Sequence, residues 1–169
     1  MTDVLLPILW VGCAVVIVRA AMRSSRHPDA LATGRRAVAV LYIGAGAAVN
    51  ALFLLRGDDY ETFADGSAIG FVRDTWRSVV VPDHDLFIGA LIAFELTVGV
   101  LALAGGRRTQ LAYAAAIAFH VALLSFGWGF ALWSVPMVAS LVTLFRQERV
   151  LARPSAGPEA GARAVLSSP

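Results

Sequence analysis

The chain alternates long apolar runs with short clusters of charge. Residues 4–18 (VLLPILWVGCAVVIV) form the first run, closed by Arg19. Residues 37–55 and 86–104 form the second and third, and residues 110–145 are apolar almost throughout. As one helix the last run would measure ~54 Å at 1.5 Å per residue, against a hydrocarbon core of ~30 Å, so it folds back. Gly127-Trp128-Gly129 lies at its middle and offers turn residues with an interfacial aromatic. The pattern predicts an all-α, polytopic membrane bundle with five transmembrane helices, at 4–18, 37–55, 86–104, 110–126 and 130–146.

Composition agrees. Of 169 residues, 58% are hydrophobic and 15% charged, and the mean hydropathy is +0.71. A soluble domain of this size carries about 25% charged residues and has too little interior to hide so much apolar surface. The first run has no basic residue before it and no small-x-small site after it. It reads as an uncleaved anchor.

Charge sets the expected orientation. All 14 basic residues are Arg. Arg19, Arg23, Arg26, Arg35 and Arg36 lie in the 19–36 loop, Arg107 and Arg108 in the 105–109 turn, and Arg146, Arg149, Arg153 and Arg163 after the last span. Five spans with the N-terminus outside put these on the cytoplasmic side with the C-terminus. Residues 1–153 then form one membrane domain, and the Pro-, Ala-, Gly- and Ser-rich segment 154–169 a disordered cytoplasmic tail.

The 56–85 segment is the one sizeable external loop. Ile69, Val72, Trp76 and Val79 fall at helical spacing, so a short helix is expected on the outer membrane surface, ended by Pro82.

The absence of Lys excludes a Schiff-base cofactor and a P-loop. The lone Cys13 excludes an intrachain disulfide and a CxxC pair, and reads as a small core residue. The isoelectric point near 9.2 reflects topological arginines and gives no support to nucleic-acid binding.

Glu95 is the most informative residue. It lies near the centre of the third span, where a carboxylate costs ~2.5–3.5 kcal/mol to insert. Gly99, one turn on, lets a neighbouring helix approach. His120, in the middle of the fourth span, is the candidate partner: counted from the outer ends, Glu95 lies ~13 Å deep and His120 ~10 Å deep. The geometry allows a Glu95–His120 hydrogen bond and leaves open that the two do not meet; Tyr113 shares the His120 face, and Asn50 and Ser125 lie nearer the outer side. The pair reads either as polar glue between helices or as a ligand, quinone or proton site.

Other features read more plainly. Asp83-His84-Asp85 is adjacent in sequence, and Asp85 reads as a cap of the third span rather than a metal ligand. Trp10, Trp76, Trp128 and Trp133 are expected in an aromatic belt. Gly44, Ala47, Ala48 and Ala51 form a small-residue face for packing within or between chains. Pro136 frees the carbonyl of Leu132. Arg35-Arg36 and Arg107-Arg108 read as topology anchors.

Residues 36–146 resemble the DoxX-like family of small bacterial membrane proteins. The resemblance rests on the Gly/Ala-rich second run followed by Tyr60-Glu61-Thr62-Phe63-Ala64, on Glu95-Leu96-Thr97-Val98-Gly99, and on the Leu103–Arg108 turn (Leu-x-Gly-Gly-Arg-Arg). It implies a four-helix core, here with an added N-terminal helix, in the bacterial cytoplasmic membrane. It also implies a subunit linked to quinone-reducing redox chemistry. Glu95 and Gly99 carry over from the family pattern. The missing Cys pair speaks against direct thiol–disulfide chemistry.

The expected function is thus a membrane subunit of a quinone-linked redox system. Glu95 and His120 would act as the proton or ligand site, and Tyr113 and Asn50 would join them around a quinone. No metal site is assigned. Expected partners are membrane lipids, a redox protein docked on the 56–85 loop, and a second copy of the chain. The alternatives are a non-catalytic scaffold or assembly factor and, with no inverted repeat, a small-molecule or proton transporter.

Overall fold

The computed structural model describes residues 2–152, with side chains from Pro7 onward; the 154–169 tail and the arginines at 153 and 163 lie outside the described residues. Among the described residues the chain is all-helical, without strands. Helix α1 spans Thr2–Arg23 and α2 spans Asp29–Arg56. A short α3, Gly70–Thr75, runs into a wide turn at Trp76–Val80. Helices α4 (His84–Leu103), α5 (Gly106–Phe126) and α6 (Trp128–Leu151) follow. Four of these, α2, α4, α5 and α6, are long and apolar enough to cross a membrane.

Helix α2 begins eight residues before the expected second span, so the 19–36 loop contracts to a tight turn between Arg23 and Asp29. The polar start of α2 is amphipathic. Leu31, Gly34, Ala37 and Val38 are buried while Arg36 stays on the outer face. Gly34 makes room: a Cβ there would lie 3.1 Å from the Leu144 methyls of α6 and 3.4 Å from Ala20 of α1.

Over Val40–Ala47 the helix widens to π-type bonding, and the Ala48 N–H donates to the Ile43 carbonyl five residues back. Such insertions rotate the chain that follows and are frequent at functional sites. Here Tyr42, Gly46, Asn50 and Phe53 all turn toward one cavity.

The buried face of α4 is Ile88, Glu95, Val98, Gly99 and Ala102, at helical spacing. Its opposite face carries exposed Leu86, Leu96, Val100 and Leu103, and α5 and α6 expose Leu111, Val121, Leu132 and Val135. Apolar surface of that extent suits lipid better than water.

The expected fold-backs occur where glycine permits them. Gly105 (φ +79°) and Gly106 (φ +57°) turn α4 into α5, and the buried Thr109 hydroxyl ties the turn by donating to Ala102 O and accepting from Gly105 N–H. Gly127 (φ +123°) turns α5 into α6, packed so closely on Gly66 that a Cβ would strike its backbone. Gly57 (φ +80°) ends α2 as a left-handed cap.

The structure meets some of these expectations and corrects others. Within the chain the close glycine contacts fall on Gly46 and Gly99; of the Gly44, Ala47, Ala48 and Ala51 face, Ala47 is buried, Gly44 meets nothing within 4 Å among the described residues, and Ala48 is exposed. Gly99 does admit a neighbour, the Ile43 side chain of α2. Asp85 does not cap α4, because the helix starts at His84 and Asp83 takes the cap position. The short helix expected in the loop is present at Gly70–Thr75; Val72 and Trp76 are half-buried, and Ile69 and Val79 are exposed.

Candidate functional site

A cavity of about 610 Å³ lies at the loop end of the bundle, walled by α1, α2, α4, α5 and α6. Its lining is overwhelmingly aliphatic and aromatic. That is the composition, and the volume is in the range, of a small-molecule pocket.

Glu95 reaches it from the middle of α4 and is 5% exposed. Its carboxylate lies against α2 at Gly46, and its Oε2 accepts from the Asn50 amide at 2.9 Å. Of the two possibilities the sequence left open, the structure shows the one without a Glu95–His120 hydrogen bond. Asn50, on the helix packed directly against α4, takes the carboxylate instead.

His120 lines the same cavity and is 3% exposed. Its Nδ1 lies 3.5 Å from Ser134 Oγ of α6, a long contact, and its Nε2 is buried without a partner among the described residues. Beside it stands Tyr42, edge-on at 6.4 Å between ring centroids, with a buried hydroxyl that also lacks a partner. Buried polar groups are normally satisfied, so two orphaned groups on one cavity are a signal. Tyr42 was not legible as a site residue; the only hint in the sequence is that it shares a helical face with Gly46 and Asn50.

Tyr113 does not line this cavity. It lies two turns from His120 along α5, fully buried, where the charges of Glu148 and Arg35 act on it. Those two form an ion pair that the sequence reading missed. Arg35 Nε and Nη2 donate to Glu148 Oε1 and Oε2, each at 2.6 Å, joining α2 to α6 at the arginine end. Arg35 is thus more than a topology anchor. The signal in the sequence was Glu148 itself, in register with buried Leu141 and Leu144.

Two of the four tryptophans wall the cavity, and a third packs in the segment above it. Trp10 and Trp133 line the cavity, and the Trp10 indole donates to Ala45 O at 2.7 Å, within the π-bonded stretch. Trp76 stacks on Phe63 at 4.9 Å and donates to Tyr60 O at 2.9 Å. Trp128 is 82% exposed and Trp10 41%.

Phe63 also packs against Phe126 and Phe130, so the 57–83 segment closes the loop end as an aromatic lid. Ser67 Oγ donates to Ser125 O at 2.5 Å, Arg73 donates to Ser67 O, and Arg77 pairs with Asp65 at 2.7 Å. Tyr60 reaches back from the lid to the cavity, where its hydroxyl donates to Asn50 O at 3.2 Å. Its backbone is left-handed (φ +59°). Burial, then the Asp58 and Glu95 carboxyls, raise its phenol above the ordinary value.

The Asp83-His84-Asp85 run stays at the surface, with His84 Nε2 3.4 Å from Asp85 Oδ1. Among the described residues no group of three or more His, Cys, Asp and Glu side chains is arranged to hold a metal ion. Cys13 is buried in the core between helices, as expected.

No protein-family model, no curated protein and no solved structure matches this chain.

Proposed function

We propose that the chain is a five-span membrane protein of DoxX-like type. Its N-terminus is outside, its C-terminus is in the cytoplasm, and its cavity binds a lipid-soluble quinone for a redox partner. The observation that carries this reading is that the unpartnered Tyr42 hydroxyl and His120 Nε2 line the same otherwise apolar chamber as the Glu95 carboxylate. An amphipathic ring with polar oxygens fits that wall: two hydrogen-bonding groups for the oxygens, and Trp133, Phe119 and Phe130 for the ring and tail.

A bound quinone would supply two-electron, two-proton redox chemistry. The chain's own part is to bind and orient the headgroup and to hold a proton at Glu95 or His120. With no Cys pair to carry electrons, a partner is their source. The exposed face of the lid, with Phe71 outward, is where it would dock. The cluster of Arg19, Arg23, Arg26, Arg35, Arg36, Arg107 and Arg108 at the other end supports the orientation. The bacterial cytoplasmic membrane is the location that fits.

The test is mass spectrometry of the organic extract from protein purified gently out of its native membrane. About one quinone per chain is expected, lost in His120→Ala and Tyr42→Phe/His120→Ala protein that stays folded. Folded wild-type protein without quinone would overturn the reading.

The Asn50–Glu95 hydrogen bond favours a second reading, a scaffold in which these residues only join α2 to α4. In that case Glu95→Gln lowers thermal stability and leaves the partner's activity unchanged.

A further inference from the structure

A second crevice, of about 530 Å³, opens on the bundle surface between the end of α1 and the start of α2. Its walls change character along α1. Val15 and Val16 are exposed and apolar. One turn further on comes Arg19, and one turn beyond that Arg23, with His27 on the connecting turn. Positions 19 and 23 share one helical face, so their guanidinium groups can converge on a single anion. Among the described residues neither is in an ion pair, whereas Arg35 and Arg77 each are. Asp29 and Thr33 of α2 form the facing wall.

We propose that this crevice is a binding site for one anionic phospholipid. The phosphate sits between Arg19 and Arg23, an acyl chain runs along Val15 and Val16, and Asp29 and Thr33 meet the hydroxyls of the headgroup. The occupant follows from the order of the wall. Two unpaired arginines suit a phosphate, and exposed valines one turn below them suit a hydrocarbon tail, which a free phosphate lacks. One acidic residue against two arginines leaves the crevice cationic, which favours an anionic lipid over a zwitterionic one. The proposal rests on α1 crossing the membrane, as in the five-span reading, and is independent of what the large cavity binds.

The experiment is native mass spectrometry of the full chain released from mixed phosphatidylglycerol and phosphatidylcholine vesicles. One retained phosphatidylglycerol per chain is expected. Arg19→Gln/Arg23→Gln should weaken retention roughly thirtyfold, at about fivefold per arginine. The control is Arg107→Gln/Arg108→Gln, which removes the same charge from the same end of the bundle, where Gly105 lies beside Arg35, but away from the crevice. It should retain the lipid. Equal loss in both variants, equal retention of phosphatidylcholine, or displacement by inorganic phosphate would each overturn the lipid site. Labelling of Thr2→Cys and Ser25→Cys, each in Cys13→Ser protein, with a membrane-impermeant maleimide is measured alongside. Labelling of both from the same side fails the five-span reading, whereas labelling from opposite sides without lipid retention fails this proposal alone.

Discussion

The Glu95 carboxylate occupies the space where a side chain at position 46 would begin: a Cβ on Gly46 would lie 2.5 Å from Glu95 Oε1. The absence of a side chain on α2 is what lets an acid on α4 be buried and still reach the Asn50 amide. Gly46→Ala should therefore push the carboxylate aside and cost about 1–3 kcal/mol, the range for overpacking a buried site. In a Glu95→Ala background the clash disappears, and the same substitution should cost little. Thermal unfolding of the four proteins in detergent measures this non-additivity.

Among the described residues, Asn50 supplies the one side-chain hydrogen bond that Glu95 receives. Asn50→Leu should cost about 1–3 kcal/mol, because it leaves a buried acceptor without its donor. Asn50→Leu/Glu95→Leu removes both partners and should recover most of that loss. A double variant as unstable as the single one would show that Asn50 acts through packing instead.

At the opposite end, Glu148 is 2% exposed and Arg35 27%. Removing one member of a buried pair leaves the other uncompensated. Glu148→Ala should cost about 3 kcal/mol, the low end of the range for such pairs, because Arg35 keeps contact with solvent. Arg35→Glu/Glu148→Arg should regain part of it. Unfolding followed by circular dichroism checks both.

The aromatic lid makes a prediction of its own. Trp76→Ala removes the stack on Phe63 and the hydrogen bond to Tyr60 O. The lid should loosen while the helices stay packed. Limited proteolysis should then cut within 57–83 many times faster, with little change in helical content. Unchanged cleavage would mean that Ser67–Ser125 and Arg73–Ser67 hold the lid without the aromatic cluster.

Topology is open to a direct test, because Cys13 is the lone cysteine and can be replaced. In Cys13→Ser protein, Asp58→Cys should react with a membrane-impermeant maleimide on intact cells. Arg107→Cys should react only after permeabilisation. The opposite pattern would invert the orientation.

Helix class and span number along α2, α4, α5 and α6 were readable from the chain, because hydropathy and length alone decide whether a helix can cross a bilayer. The turns at Gly105-Gly106 and Gly127 were readable for the same local reason: left-handed backbone needs glycine. The start of α2 was not, because Arg35 and Arg36 made it look like a loop until Gly34 and Leu144 were seen to pack it.

What the sequence determined by itself is the all-helical, membrane-suited character of this protein and the few polar residues, Glu95, His120 and Asn50, that had to be explained within it. Only the tertiary structure decided their partners. It placed Asn50 rather than His120 on Glu95, brought Tyr42 and Trp10 to the cavity, and removed Tyr113 to the neighbourhood of Arg35 and Glu148. The reason is geometric. Periodicity says which face of a helix is buried, but the rotation of one helix against another, set here by the π-bonded stretch of α2 and the glycines at 46 and 99, says which residue that face meets.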